Sequence, residues 1–447
     1  MRHLYHRDAF DMARPVPSYW EATAGRAVDE AAPLAADTRC DVAVIGGGYT
    51  GLSAALHLAR DASADTVLLE AGRIGWGASG RNGGFCCLGS HKLSNGELVA
   101  RYGREGAIEY FQAQREAVEL VRELGVSEEI DFDGVGNGET TLAHLPSRMA
   151  ELREEAAFLK DTYGVAAALL GPSDLVVRGM ASAGFHGGLH LPIGFGLHPG
   201  KYVRGLARAA MRRGARIAAE TPVTGLRMAD GRYELATPRG KVSAERVLIA
   251  TNGYTPEDLF PGLGGRLLPA LSNAMATRPL SDSELQAQGW TTREMAFDSR
   301  YLLHYFRLLP DRRFLFGARG GFDASQAGER RRSAALERDF RALFPAWRDV
   351  AIDYRWSGMV CLARDRVPHL GEFADSPGLF HALAYHGNGV AMASWAGRAM
   401  AQLMTGNRAA AGIPAALSRP LPAFPFPPLR LAYLQAAYAW YGLKDRR

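Results

Sequence analysis

Cys40-Asp41-Val42-Ala43-Val44-Ile45-Gly46-Gly47-Gly48-Tyr49-Thr50-Gly51-Leu52-Ser53-Ala54-Ala55 is the stretch on which the reading of this chain turns. An apolar run ends in Gly-x-Gly-x-x-Gly and passes into an alanine-rich segment. About twenty residues further on, Val67-Leu68-Leu69-Glu70 is a second apolar run closed by a carboxylate. Strand, glycine turn, helix, strand and acidic end are the parts of a βαβ dinucleotide site. Gly46 permits the tight turn, Gly48 lets backbone approach a pyrophosphate, and Gly51 lets the helix pack close to its strand. Tyr49 and Thr50 open the helix, whose N-terminus offers unpaired N–H groups and a positive dipole end to phosphate. Glu70 is placed to accept hydrogen bonds from a ribose 2′-OH, and its charge disfavours the 2′-phosphate of NADP.

Size and composition bound what surrounds this unit. With 447 residues and 47% hydrophobic content the chain can bury a large core in two or three domains. No apolar stretch is long enough to span a membrane, and Met1 to Ala31 lacks an apolar core of signal-peptide length, so a cytoplasmic enzyme is expected. The net charge is +5, with basic and acidic residues interspersed and only Arg330 to Arg332 forming a basic run; nucleic acid is not an expected partner. Cys40, Cys86, Cys87 and Cys361 make no disulfide framework and no Cys-x-x-Cys, so no metal site is expected.

Outward from the corner, the chain divides into interleaved blocks. A glycine-dense loop, Ala71 to Phe85, follows the second strand; so many glycines beside a nucleotide site imply backbone packed against a flat ligand. Helical periodicity predicts helices over 95–124 and 147–163 and after Gly200, with others over 331–343, 390–404 and 430–442. Strands are expected near 215–217, 221–226, 247–250, 271–278, 301–309, 313–318, 352–360 and 379–383, with a hairpin turn at Asp230-Gly231. The fold class expected is α/β: a discontinuous Rossmann-like nucleotide domain (39–90, 170–255 and 365–405) with an inserted antiparallel β-sheet substrate domain (91–169 and 256–364). Residues 1–38 read as an N-terminal arm and 406–447 as a Pro-rich strap and helix. Such a layout argues against a simple NAD dehydrogenase, whose Rossmann domain is usually one block.

Beyond the corner, several motifs carry a resemblance. They are Ser18-Tyr19-Trp20, Gly75-Trp76-Gly77-Ala78-Ser79-Gly80-Arg81-Asn82-Gly83-Gly84, Tyr305-Phe306-Arg307-Leu308, Phe316-Gly317, Pro368-His369-Leu370-Gly371 and Gly387-Asn388-Gly389-Val390. In these, over nearly its whole length, the chain resembles the FAD-dependent D-amino-acid-oxidase, glycine-oxidase and sarcosine-oxidase superfamily, and within it γ-glutamylputrescine oxidoreductases. The resemblance implies FAD rather than NAD, in a glutathione-reductase-like FAD fold. It implies pyrophosphate contacts at Gly46, Gly48 and Gly51, ribose contact at Glu70, and adenine contact along the backbone of Val223. Ala78, Ser79, Gly83 and Gly84 would run past the ribityl chain and ring, with Arg81 and Asn82 beside the cofactor. Gly387, Asn388, Gly389 and Val390 would place a helix N-terminus at the pyrimidine edge, where reduced flavin is negative.

The reaction so implied is oxidation of a C–N bond, a hydride passing to flavin N5 and the imine hydrolysing to an aldehyde or oxo acid. The substrate is a small-molecule amine or amino acid, with O2 or another electron acceptor. Residues facing the ring are sought on the aromatic strand: Tyr301, Leu303 and Tyr305 on one face, His304 and Phe306 on the other. Arg307 could bind a substrate carboxylate, with Arg364 and Arg366 as rivals. Two departures from the family stand out. Cys361 falls about two residues from the position that tethers flavin in some relatives and the glycine block has no histidine, so non-covalent FAD is expected. No lysine lies between Lys241 and Lys444, so the cation that assists O2 reduction, expected near Leu315, is missing. A monomer or homodimer is expected. The competing readings are an NAD-linked Rossmann dehydrogenase and a flavin-binding subunit without catalysis.

Overall fold

Thr38–Ile45 forms the central strand of the first of two large sheets in the computed structural model, which describes residues 2–26, 28, 31–89 and 91–446. It pairs in parallel with Gly240–Ile249 on one side and Thr66–Leu69 on the other. Arg216–Ala218 extends the sheet beyond Thr66–Leu69, and Leu379–Leu383 extends it beyond Gly240–Ile249, both in parallel. The antiparallel edge strand His369–Glu372 closes it. A parallel sheet is covered on both faces, which is why these strands are apolar almost throughout. Val42 and Val44 pack beneath the helices Tyr49–Ala62, Pro199–Arg212 and Gly389–Met404. Ala43 and Ile45 point the other way, into a core shared with the hairpin Gly225–Ala229 and Arg232–Thr237. Both turn residues of that hairpin, Asp230 and Gly231, have positive φ (50° and 75°), the conformation a tight two-residue turn demands.

The second sheet has eight strands, in the order Ile352–Leu362, Leu268–Thr277, Phe314–Arg319, His304–Leu308, Met295–Asp298, Glu139–Leu142, Gly188–Leu191 and Ala168–Leu170. Every pairing is antiparallel except that of Met295–Asp298 with Glu139–Leu142. Its two faces are different in kind. Phe306, Phe314 and Phe316 form an aromatic core with Phe340, Phe344 and Trp347 of the helix Gln326–Leu343 and the turn after it. Tyr305, Leu315 and Trp356 face the nucleotide domain, where they meet Tyr19, Trp20 and Phe85.

Sheet membership departs from the block boundaries expected. The helix Asn95–Ser127 falls within 91–169, yet Leu98, Tyr110, Val118 and Val121 pack into the nucleotide-domain core beside Trp395. Conversely Gly188–Leu191 lies within 170–255 but pairs in the second sheet. Both are non-local choices, invisible to periodicity. Two strands also begin later than expected. Thr221 hydrogen-bonds to Ala219 O and Leu34 N through its hydroxyl, so the expected strand 221–226 starts only at Gly225. Asp298 accepts from the N–H groups of Arg300 and His304, holding 299–303 in a turn, so the expected strand 301–309 is His304–Leu308. The arm is anchored by buried Tyr19 and Trp20, and the C-terminal helix Arg430–Lys444 packs Leu434 on Leu268 and Ala270. Among the described residues no helix is long and apolar enough to cross a membrane, and no cluster of side chains could hold a metal.

Candidate active site

A cleft of about 1250 Å³, its open mouth included, runs along the C-terminal ends of the parallel strands, where ligands of open α/β sheets bind. Gly46, Gly48, Tyr49 and Thr50 form its floor at the first βα corner. Gly46 has φ +114°, and a Cβ there would stand 2.8 Å from the carbonyl oxygen of Ala250, so only glycine fits. Gly51 does not line the cleft; it is pressed against the Gly46 carbonyl, which fixes the helix on its strand. Glu70 accepts from the N–H of Gly47 (2.6 Å) and of Gly72 (2.8 Å). Burial raises its carboxyl above the usual range while those N–H groups act against the rise. Val223 lines the same end of the cleft.

The glycine block forms the next wall through Ala78, Ser79 and Asn82. Ser79 Oγ accepts from Tyr49 N at 3.0 Å, so the block is tied to the helix start. Asn82 knits the block together: its amide donates to the carbonyls of Ala78 and Ser79, and its carbonyl accepts from Gly84 N at 2.8 Å. Gly387, Gly389 and Val390 complete the wall at the start of the helix Gly389–Met404. That helix has no side-chain cap, because the Asn388 amide is turned away to Leu88 O (2.7 Å). The Gly389 N–H turns back to Gly387 O (2.6 Å), and the N–H groups that follow it in the first turn have no side-chain acceptor and are open to a ligand. Trp76 Nε1 and Tyr254 OH, in the cleft wall, are buried without a hydrogen-bond partner, as is one guanidinium nitrogen of Arg81. An uncapped helix start, orphaned donors and a glycine cradle fit a long anionic ligand with a heteroaromatic end, as FAD is.

A second cavity of about 780 Å³ adjoins the first. The two share Ala78, Asn82, Met359, Val360, Gly387 and Val390. Its own walls are Arg81, Gly83, Phe85, Ser272, Phe297, Leu303, Tyr305, Arg319, Gly358 and Asn388. Gly84 lines neither cavity and packs against the Leu197 carbonyl. Arg319 was not anticipated from sequence. Its side chain is half-buried, makes no ion pair among the described residues, and its guanidinium reaches only His386 Nε2 at 3.4 Å. Burial lowers its pKa. Gly387 has φ +91°, and a Cβ there would collide with Arg319. Lys92 lies close enough to feel Arg319; burial, then that neighbouring charge, brings it down to about 7.

The chain matches the model of the FAD dependent oxidoreductase (DAO) family over residues 41–403. It belongs to that family. It is 34% identical to a probable oxidoreductase, OrdL, of Rhizobium meliloti over 413 residues, 91% of this chain and 92% of the relative. It is 33% identical to the gamma-glutamylputrescine oxidoreductase of Escherichia coli over 410 residues, 91% and 93% of the two chains. The glycine oxidase of Geobacillus kaustophilus has a similar fold, with TM-score 0.69 at 24% identity over 82% of this chain and 95% of that one. The protein is thus an FAD-dependent oxidoreductase, and the NAD-linked reading is set aside.

For a DAO-family enzyme, three of the four expected catalytic residues are out of place. Tyr301 lies in the turn before its strand, stacked on Tyr441 (5.2 Å) with its N–H bonded to Asp445, and lines neither cavity. His304 lies on the aromatic-core face, its Nδ1 2.7 Å from Asp298 Oδ2 and its ring stacked on Phe316. Arg307, 1% exposed, donates to the carbonyls of Gly83 (3.2 Å) and Leu197, which makes it a brace for the glycine block rather than a substrate ligand. Only Tyr305 lines the second cavity. Arg364 is spent on Ala423 O and Arg366 on Glu97, both away from it. Arg81 stacks over the Trp76 ring (4.2 Å) and donates to Trp76 O. Cys361, Cys86 and Cys87 are buried, and none lines either cavity.

These placements have measurable consequences. Arg307→Met leaves two carbonyls unsatisfied and is expected to lower stability by about 3 kcal/mol, read by urea denaturation, with the Michaelis constant of the folded fraction unchanged. An unchanged stability with a raised Michaelis constant would return Arg307 to the substrate. Burial disfavours charge on His304, but Asp298 and Asp339 outweigh it and hold the imidazole at about 9. A pKa raised by folding adds stability below the unfolded value of about 6.5 and loses it as pH climbs through 9. Between those limits the parent is expected to lose up to about 3 kcal/mol, and His304→Gln should flatten that slope in pH-dependent melting.

Proposed function

We propose that this enzyme oxidises the C–N bond of an amine that also carries a carboxylate, with FAD held non-covalently. The observation that carries the reading is Arg319, a half-buried guanidinium without an acidic partner among the described residues, in the cavity that opens onto the cofactor cleft. A buried unpaired charge is costly, and a substrate carboxylate relieves that cost by a charge-assisted fork. The gamma-glutamylputrescine type of amine, named by the E. coli relative, has both groups.

When bound, FAD supplies the acceptor for the hydride leaving the carbon beside the nitrogen. The chain's residues do the rest. Arg319 fixes the carboxylate end and so places the amine carbon toward the seam formed by Gly387, Val390 and Met359. Phe297, Leu303, Tyr305 and Phe85 exclude water and disfavour an ammonium, leaving the amine neutral. No carboxylate or histidine lines this cavity among the described residues, so the amine's proton passes to solvent before substrate seats. Leu315, where an O2-assisting lysine was sought, is wholly buried in the aromatic layer between the sheets and lines neither cavity.

The test is an anaerobic panel of amines with and without a carboxylate, read by loss of the flavin absorption, followed by readmission of air. Bleaching by carboxylated amines alone supports the proposal. Equal bleaching by carboxylate-free amines contradicts it, and the reoxidation time tells O2 from another acceptor.

A further inference from the structure

The arm before the first strand crosses the mouth of the cofactor cleft. His3 and Met12 both line it. Met12 lies over the glycine block: a Cβ on Gly72 would stand 3.4 Å from Met12 Cβ. His3 stacks on Phe10 with ring centroids 3.7 Å apart, Phe10 meets Tyr254 edge-on at 6.2 Å, and Tyr254 meets Trp76 edge-on at 5.5 Å. Tyr254 and Trp76 are themselves cleft walls, so this aromatic row continues the wall out into the arm. His3 Nδ1 is a further buried polar atom without a partner.

The attachment is uneven. At Tyr19-Trp20 it is deep: Trp20 is 1% exposed and donates to Asn82 O at 2.8 Å. Ahead of that anchor the arm is held at separate points: Tyr5 packs on Leu271 and Met359 and donates to Pro269 O (2.9 Å), Arg2 N donates to Asp258 (2.7 Å), Gln326 N donates to Asp8 (3.4 Å) and Arg14 pairs with Glu329 (3.3 Å). Its only regular structure is the single 3-10 turn Arg7–Phe10, and it pairs with neither sheet. A segment hinged at a buried anchor and held beyond it by a few bonds can open without unfolding the domain.

We infer that residues 3–12 are the last wall of the FAD site, seating over the cofactor after it has entered and slowing its escape. The inference rests on the FAD reading of the cleft. Binding and seating then favour one another to the same degree in both directions. FAD holds the arm closed, and the closed arm holds FAD.

Two measurements test this on the full chain. Trypsin should cleave after Arg7 about tenfold faster in the FAD-stripped protein than in the FAD-saturated one, within the usual range of coupling between sites. Deletion of residues 2–13 should speed FAD release, followed by flavin fluorescence, by about tenfold, the scale of losing one buried methionine contact. Should that deletion fold poorly, Phe10→Ala combined with Met12→Ala should give the same direction with the parent's melting temperature in the stripped state. Equal cleavage in both states, or release from the folded variants at the parent's rate, overturns the inference while FAD still binds. A parent chain that takes up no FAD overturns the cofactor reading as well.

Discussion

Gly48→Val is expected to give a folded protein without yellow colour. Gly48 has φ −90° and ψ −174°, an extended conformation open to any residue, so the backbone bears no strain from the change. The obstacle is spatial. A Cβ at this position stands 2.9 Å from Ser79 Oγ, and the branched methyls occupy the cleft floor where the N–H groups of the helix start must meet a diphosphate. Overpacking of this kind costs about 3 kcal/mol, which is roughly a hundredfold in affinity. FAD titration should show that loss, while the melting temperature of the stripped protein stays within about 2 °C of the parent. A variant that binds FAD as the parent does would remove the first βα corner from the site.

Arg319→Met is expected to separate substrates by charge. Losing the Arg319 guanidinium from the second cavity should cut kcat/KM for a carboxylated amine by about a hundredfold or more, the usual result of removing one side of a buried charge pair. A carboxylate-free amine should be affected little. FAD content should not change, and the unliganded protein should become slightly more stable, since a buried charge without a counter-ion has been removed. Gly387→Ala offers a second route to the same site. The added methyl collides with Arg319 and forces a strained φ of +91°, so it should reproduce the substrate effect and also weaken FAD. If both kinds of amine lose equally, Arg319 acts on the cofactor or the fold, and the carboxylate assignment fails.

The parts of this molecule that could be read from sequence are those fixed by neighbours along the chain. The corner at Gly46 to Gly51, the carboxylate at Glu70 and the turn at Asp230-Gly231 are local geometries, and each stands where its spacing put it. The parts that could not be read depend on distant partners. Arg307 and Arg319 both sit on strands of one sheet, and sequence offers no reason to prefer either. In space Arg307 is consumed by the carbonyls of Gly83 and Leu197, whereas Arg319 pairs with no acid among the described residues. Tyr301 was misplaced because alternation was carried through a turn that Asp298 holds with its side chain. The helix Asn95–Ser127 has ordinary amphipathic spacing, which cannot say which of two cores its apolar face will meet.

The cleft itself can be tested in one titration. FAD added to the stripped, full-length chain should bind with a stoichiometry of about one, and NAD should not displace it, because an uncapped helix start and the orphaned donors of Trp76 and Tyr254 are matched to the longer flavin dinucleotide. A chain that stays colourless at saturating FAD, or that exchanges FAD for NAD on equal terms, would contradict the account at its root.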